Sequence, residues 1–308
     1  MPFHFKKAES PAKGVRRVCR ERVGAALDRL RHSDRSVAIH GARKEIKKLR
    51  AIFRLVRGEI GRGDYRKGAK ALRRAADRLA APRDARVRLK AFEKLAGRRE
   101  ARQFPNIQKA LQKNCRREAR RFRDRDFARV AERMLRKTGR RTADLEIKAS
   151  GWMAIEPGLK QSYRLGREAC KRVHAKPSPE HFHDWRKHVK DLWHFTCLLS
   201  PARPAAAPAR ADELELLGRF LGEDHDLFLV QQFATEACAD QVRERKALNQ
   251  LIAMRQRRLR AAALKLGARL YAEAPATICR QMEDDWNHWR GGARRKQKRR
   301  FDESKRRS

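Results

Sequence analysis

His40-Gly-Ala-Arg43-Lys44-Glu-Ile-Lys47-Lys-Leu49 is the stretch whose reading decides the fold, because the residues around it repeat at helical spacing. Ile39, Ala42, Ile46, Leu49, Phe53 and Val56 follow one another at gaps of three and four, which is one buried stripe of an α-helix. The residues one position later keep the same gaps: His40, Arg43, Lys47, Arg50, Arg54 and Arg57, with Lys44 one turn beyond His40. A line of cations about five turns long therefore runs beside the core seam.

The stretch recurs. His183-Asp-Trp-Arg186-Lys187-His-Val-Lys190-Asp-Leu192 lies 143 positions on, with Phe182, Trp185, Val189 and Leu192 for the core and His183, Arg186, Lys187 and Lys190 for the charges. A second pair follows at nearly equal distance: Leu79-Ala-Ala-Pro-Arg83-Asp84-Ala-Arg-Val87 is answered 142 positions later by Leu221-Gly-Glu-Asp-His225-Asp226-Leu-Phe-Leu229. Two motifs kept in order and spacing imply one helical unit of roughly 140 residues used twice, with an expected pseudo-twofold axis.

No stretch combines strict alternation with β-branched enrichment, so the expected fold class is all-α. Helices are expected near 12–32, 36–59, 66–80, 84–97, 105–137, 158–175, 179–199, 212–240 with a break near Gly222, 241–272 and 276–290. Ser178-Pro179-Glu180 supplies a capping hydroxyl, a proline at the first helical position and a carboxylate at the positive dipole end. The expected organisation is a first helical repeat over 1–140, a linker over 141–157, a second repeat over 158–290 and a flexible basic tail over 291–308.

The 79 Lys and Arg against 37 Asp and Glu give a formal net charge of +42, which excludes a balanced surface and calls for a polyanionic partner. A hydrophobic fraction of 41% excludes a disordered chain. The stripe is single-signed, whereas a merely solvated helix face mixes signs through i,i+4 pairs, so it accumulates repulsion that an anion would relieve. Lys160, Arg164, Arg167, Lys171 and His174 form a further basic line, with Tyr163 beside it. Asp84 and Asp226, carboxylates at repeated positions, are expected to support the site by holding stripe cations in place. His40 and His183 are expected to titrate low beside their cations and to rise when an anion binds.

The six cysteines, Cys19, Cys115, Cys170, Cys197, Cys238 and Cys279, form no CxxC pair and read as core residues of a reducing compartment. No apolar run reaches membrane-span length, and charges occupy the place of a signal peptide's apolar core. A cytoplasmic protein without membrane partners is expected.

The paired H-x-x-R-K helices, the following Arg83-Asp84 and His225-Asp226, and Gly158-Leu-Lys-Gln-Ser-Tyr163-Arg164-Leu-Gly-Arg167 together resemble the CHAD family, the conserved histidine α-helical domain, over roughly residues 12–290. The resemblance implies two four-helix units packed about a pseudo-twofold axis around a basic central groove that binds inorganic polyphosphate, association with polyphosphate granules, and no cofactor. Carried over by position, it implies His40, Arg43, Lys44, Lys47, Arg50, Tyr163, Arg164, Arg167, His183, Arg186, Lys187 and Lys190 as ligand-facing residues. Two departures stand out. Trp193-His194 occupies the place where the family's second copy often has Arg-Tyr, and Glu213-Leu-Glu215-Leu-Leu217 lacks the lysine of the E-x-E-x-K motif of fused triphosphatase domains. A stand-alone binding module, not an enzyme, is expected.

Two other classes compete. Nucleic acid is compatible with the charge as a non-specific partner, although the 13 Phe, 5 Trp and 3 Tyr fall mainly at core spacings and offer no stacking platform. A metal-dependent phosphohydrolase would use His183, His225, Asp226 and Asp284, but the surrounding cations disfavour a divalent metal, so no metal site is expected. Gly63-Asp-Tyr-Arg-Lys-Gly68-Ala-Lys70 lacks the GK[ST] of a phosphate loop.

Overall fold

The structure, a computed structural model, describes residues 3–121 and 126–305. All regular structure among them is helical: α1 (Pro11–Leu30), α2 (Arg35–Leu55), α3 (Arg62–Arg78), α4 (Ala81–Glu100), α5 (Pro105–Arg121), α6 (Asp126–Ala143), α7 (Glu156–Ala175), α8 (Pro179–Leu199), α9 (Ala207–Ala237), α10 (Val242–Leu270) and α11 (Pro275–Lys305). None of these helices is long and apolar enough to cross a membrane. Three helix starts are fixed by capping side chains, which accept orphan backbone N–H groups of the first turn. Ser10 accepts from Lys13, Asp34 from Ser36 and Val37, and Ser178 from His181 with Pro179 directly behind it, as its sequence predicts.

Two expected boundaries move. α9 runs unbroken through Gly222, and the break falls instead in the first half, at Leu79 and Ala80 between α3 and α4. Gly222 does not bend the helix, and it lies beside the Arg186 guanidinium, where a Cβ would be in ordinary contact at 3.4 Å from Nε. The expected single helix over 105–137 is two, α5 ending at Arg121 and α6 beginning at Asp126. α11 continues as helix to Lys305 through the segment expected as a basic tail, and 306–308 lie outside the described residues.

Helices α1, α2, α3 and α6 pack in a closed ring, each on its neighbour, and α7, α8, α9 and α10 pack in sequence with α11 against α7. The seam residues Ile39, Ala42, Ile46, Leu49 and Phe53 are buried as their spacing predicts, and so are Phe182, Trp185, Val189 and Leu192. The halves share their cores. Phe53 and Leu55 of α2 belong to the same apolar cluster as Leu159, Tyr163 and Trp185, while Phe92, Phe104, Ile107 and Leu111 of the α4–α5 region join Leu227, Val230, Leu248 and Ile252 of α9 and α10. The 141–157 connection is thus not a boundary of the core: α4 and α5 leave the first ring to cover the far ends of α9 and α10. Of the cysteines, Cys19, Cys170, Cys238 and Cys279 are buried, Cys115 and Cys197 half-buried, and all are free thiols.

Glycine permits the closest contact between the halves. At Gly158, in the first turn of α7, a Cβ would lie 1.8 Å from the Leu55 carbonyl oxygen at the end of α2, a backbone atom that no rotamer change can move. Gly158→Ala is therefore expected to destabilise by about 3 kcal/mol or more. A thermal melt followed by circular dichroism checks this, with Gly24→Ala as control because nothing lies within 4 Å of a Cβ there.

Candidate anion-binding site between helices α2 and α8

The apolar stripes seat α2 against α7 and α8, and the residues one position on are carried to the edge of that contact. Side chains from both halves meet there. The Lys47 ammonium is held well below the usual lysine range first by burial and then by Arg186, Arg83, Arg43 and Lys190. Lys47 remains exposed along its side chain, so water screens part of this effect, and the direction is the firm result. Arg186 is lowered by burial and by Arg83, against the pull of Asp226. Asp226 is raised by burial, against Arg186, Arg83 and Lys47, with Asp84 adding to the rise. The cluster thus draws on α2, α8, the first turn of α4 and the middle of α9.

Two glycines one turn apart on α9 make room for the α8 cations. A Cβ at Gly218 would lie 2.8 Å from Lys190 Cε, and one at Gly222 would meet the Arg186 guanidinium. Arg43 is steadied differently, its Nη1 donating to the Ala76 carbonyl of α3. The halves are also tied by Arg54 Nη1 and Asp191 Oδ1 at 2.6 Å. Burial pushes Asp191 up to about 6 although Arg54 and Arg50 pull it down.

The carboxylates do not clamp the stripe as expected. Asp84 pairs with its neighbour Arg83 at 2.8 Å, and Asp226 lies near Arg186 with no hydrogen bond to it. Asp226 Oδ1, Arg186 Nε and His183 Nδ1 are buried polar atoms whose bonding capacity is unused within the protein. In a folded protein such groups are exceptions that call for a partner. His183 and His225 stack with centroids 4.1 Å apart and rings tilted by 32°. Burial is the first cause that lowers both, with neighbouring cations next for His183 and His183 itself next for His225, which is pushed down to about 3. His40, at the edge, is lowered by burial and then by Lys47, Arg83, Lys44 and Lys90.

The other residues expected at the site divide into two groups. Arg50 joins the cluster through Arg54, Asp191, Arg73 and Asp77, and Lys44 and Lys187 stand exposed on its rim. Tyr163, Arg164 and Arg167 belong elsewhere. Tyr163 has no exposed surface; it stacks on Tyr271 at 5.3 Å and its hydroxyl donates to the Glu273 carbonyl at 3.1 Å. Arg164 pairs on the outer face of α7 with Glu168 at 3.0 Å, and Arg167 donates to the Tyr271 carbonyl at 3.0 Å, closing the end of α10. Arg167, Lys171 and His174 line a separate cavity of about 560 Å³ between α7 and α10. The signal for this lies in the sequence: Tyr163 stands four residues after Leu159 and three before Gly166, on the buried stripe of α7.

A family model of the CHAD domain matches residues 15–235, a stretch that contains α2, α8 and both carboxylate motifs. The chain belongs to the CHAD domain family. Its fold is similar to the crystal structure of the CHAD domain from the plant Ricinus communis, with a TM-score of 0.60 and 15% identity over 89% of this chain and 98% of that one. Comparison with curated proteins gives no match.

Within this CHAD fold, sequence reasoning placed Arg54 on the charged stripe but missed its pairing with Asp191, and missed Arg83, His225 and the two α9 glycines as members of the cluster. Gly218-x-x-x-Gly222 at i,i+4 was the available signal, since glycines a turn apart permit close approach on one helix face. The His183, His225, Asp226 and Asp284 set does not form a metal centre: among the described residues no group of three or more His, Cys, Asp or Glu side chains is placed to hold an ion. Trp193 lies under the Lys190 ammonium at 4.7 Å, and His194 is buried and pushed down to about 3, so neither adds charge to the cluster.

The sign of a pH effect follows from these shifts. Lys47, His183 and His40 are lowered by burial and like charge, and an anion bound among them raises each one, so binding takes up protons. Anion affinity is therefore expected to rise as pH falls from 8 to 6. Calorimetric titration in buffers of different ionisation enthalpy reads the proton uptake directly, and NMR titration of the histidines assigns their share.

Proposed function

We propose that this CHAD protein binds inorganic polyphosphate at the α2–α8 cluster and acts by recognition rather than turnover. The family is linked to polyphosphate binding in general. The observation that carries the reading for this chain is the convergence of cations from both halves on Lys47, whose affinity for protons is lowered by burial and then by Arg186, Arg83, Arg43 and Lys190. A polyanion relieves that repulsion. The arginines take phosphoryl oxygens in paired hydrogen bonds, the lysines add point charges, and the counterions released from the polymer supply driving entropy, as they do for nucleic acid.

Arg186 and His183 keep part of their side chains exposed at the cluster, within reach of a polyanion laid along it. Asp226, close to Arg186 and raised toward its neutral form, costs less repulsion against an incoming anion than a fully ionised carboxylate. Arg43, held by Ala76, and Arg186, accommodated by Gly222, lose little side-chain freedom on binding. In a cell this reading places the protein in the cytoplasm, on polyphosphate granules. A fluorescent fusion that stays diffuse in cells rich in the polymer counts against it.

Arg43→Gln with Arg186→Gln removes two charge-assisted contacts of about 1.5–3 kcal/mol each, so affinity for polyphosphate is expected to fall at least 100-fold. Neutralising two arginines of the C-terminal segment 291–308 is expected to change it less than threefold. Filter binding across salt concentrations measures both, with thermal melts to verify folding; equal losses exclude the cluster as the site. Polyphosphate is also expected to raise the Tm of the wild type and not that of the double variant.

A further inference from the structure

We propose a second, independent interaction surface: the outer layer formed by α3 and α6, which binds the phosphate backbone of duplex nucleic acid. In the ring of α1, α2, α3 and α6, it is α2 that meets α7 and α8, so the layer of α3 and α6 forms the opposite side of that bundle. Helix α3 buries Gly68, Leu72 and Ala75, and α6 buries Ala131, Leu135, Thr138 and Thr142. The side chains pointing the opposite way are Lys67, Lys70 and Arg74 on α3 and Arg133, Lys137 and Arg140 on α6, and all six are exposed. None of the six has an ion pair or hydrogen bond among the described residues. Over their full lengths the two helices carry thirteen Lys and Arg against four Asp and Glu, so the layer is strongly positive even after every carboxylate is set against it.

Dimensions and chemistry select the partner. Seventeen helical residues span about 25 Å, and packed helices lie about 8–10 Å apart, so the layer presents two straight rows of cations repeating every 5–6 Å or so. Duplex grooves are about 6 and 12 Å wide, values that bracket that separation, and long Lys and Arg side chains span the difference, so the two rows can reach phosphates of both strands across a groove. A single strand is disfavoured for want of a stacking platform: Tyr65, the one aromatic residue of these helices with a described side chain, is half-buried beneath Arg57. A bilayer is disfavoured because, among the described residues, no large exposed apolar side chain lies on the layer to enter it; those described are Val37, Met153, Val242 and Met254. Binding of this kind is independent of base sequence, because no side chain is built to read base edges. The surface differs from the α2–α8 cluster, whose Arg43, Arg50, Arg186 and Lys190 are half-buried, and it does not rest on that cluster's ligand being polyphosphate.

The test uses the full chain and a sixfold variant, Lys67→Gln, Lys70→Gln, Arg74→Gln, Arg133→Gln, Lys137→Gln and Arg140→Gln, with circular dichroism and a thermal melt to verify that these exposed changes leave the fold intact. Fluorescence anisotropy with a duplex DNA of mixed sequence is read across salt, beside long-chain polyphosphate and vesicles containing anionic lipid. Wild type is expected to bind duplex DNA with a steep salt dependence. The sixfold variant is expected to lose at least tenfold in duplex affinity and to flatten the slope by roughly one unit per phosphate contact removed. Its polyphosphate affinity is expected to stay within about threefold, while Arg43→Gln with Arg186→Gln shows the reverse pattern. Unchanged duplex binding by the sixfold variant overturns the proposal, as does a loss confined to vesicles or an equal loss of duplex and polyphosphate. Failure of polyphosphate to bind the wild type leaves the duplex result standing on its own.

Discussion

The structure depends on one conflict: apolar packing forces like charges together. The stripes of α2 and α8 bury Ile39, Ile46, Phe53, Phe182, Trp185 and Val189, and because the cations stand one position along the same helices, seating the stripes also seats Arg43, Lys47, Arg186 and Lys190 beside one another. Burial of a large apolar side chain contributes about 1.5–3 kcal/mol, and six of them outweigh repulsion that water still partly screens. The cost shows as lysine, arginine and histidine pKa values lowered first by burial and then by like charge, and as buried polar atoms without partners.

Neighbouring elements keep this arrangement from relaxing. Gly218 and Gly222 let α9 approach the Lys190 and Arg186 side chains, Ala76 accepts from Arg43, and Arg54 with Asp191 fastens α2 to α8 across the halves. Helix α4 brings Arg83 to the same place only because the chain breaks at Leu79 and Ala80, where the second half continues straight through α9. The cluster thus combines a helix start from one half with a helix middle from the other. The basic outer layer of α3 and α6 is different in kind: Lys67, Lys70, Arg74, Arg133, Lys137 and Arg140 are exposed and make no ion pair or hydrogen bond among the described residues.

Much of this was legible from residue spacing. The gaps of three and four gave the helices, the buried seams and the membership of His40, Arg43, Lys47, Arg50, His183, Arg186 and Lys190 in one charged edge. Spacing misled where a charge and a core position look alike. Tyr163, Arg164 and Arg167 follow a basic line in the sequence, yet Tyr163 lies on the buried stripe and Arg167 closes the end of α10, because a helix face is assigned by its neighbours and not by its own charges. The carboxylates were misread for a similar reason: Asp84 has an arginine directly beside it, and a one-residue pair forms without any help from α2.

The sequence by itself determined the all-α class, the helix faces and the uncompensated positive charge, since these follow from periodicity and composition within single helices. Only the tertiary structure decided which faces meet: that Lys47 lies among Arg83, Arg186 and Lys190, that α4 and α5 complete the core of α9 and α10, and that Lys67, Lys70, Arg74, Arg133, Lys137 and Arg140 stay exposed. The physical reason is that helix periodicity is local, whereas the partner of each face is chosen by long-range packing, where the glycine at 158 admits the Leu55 backbone and a larger residue would exclude it.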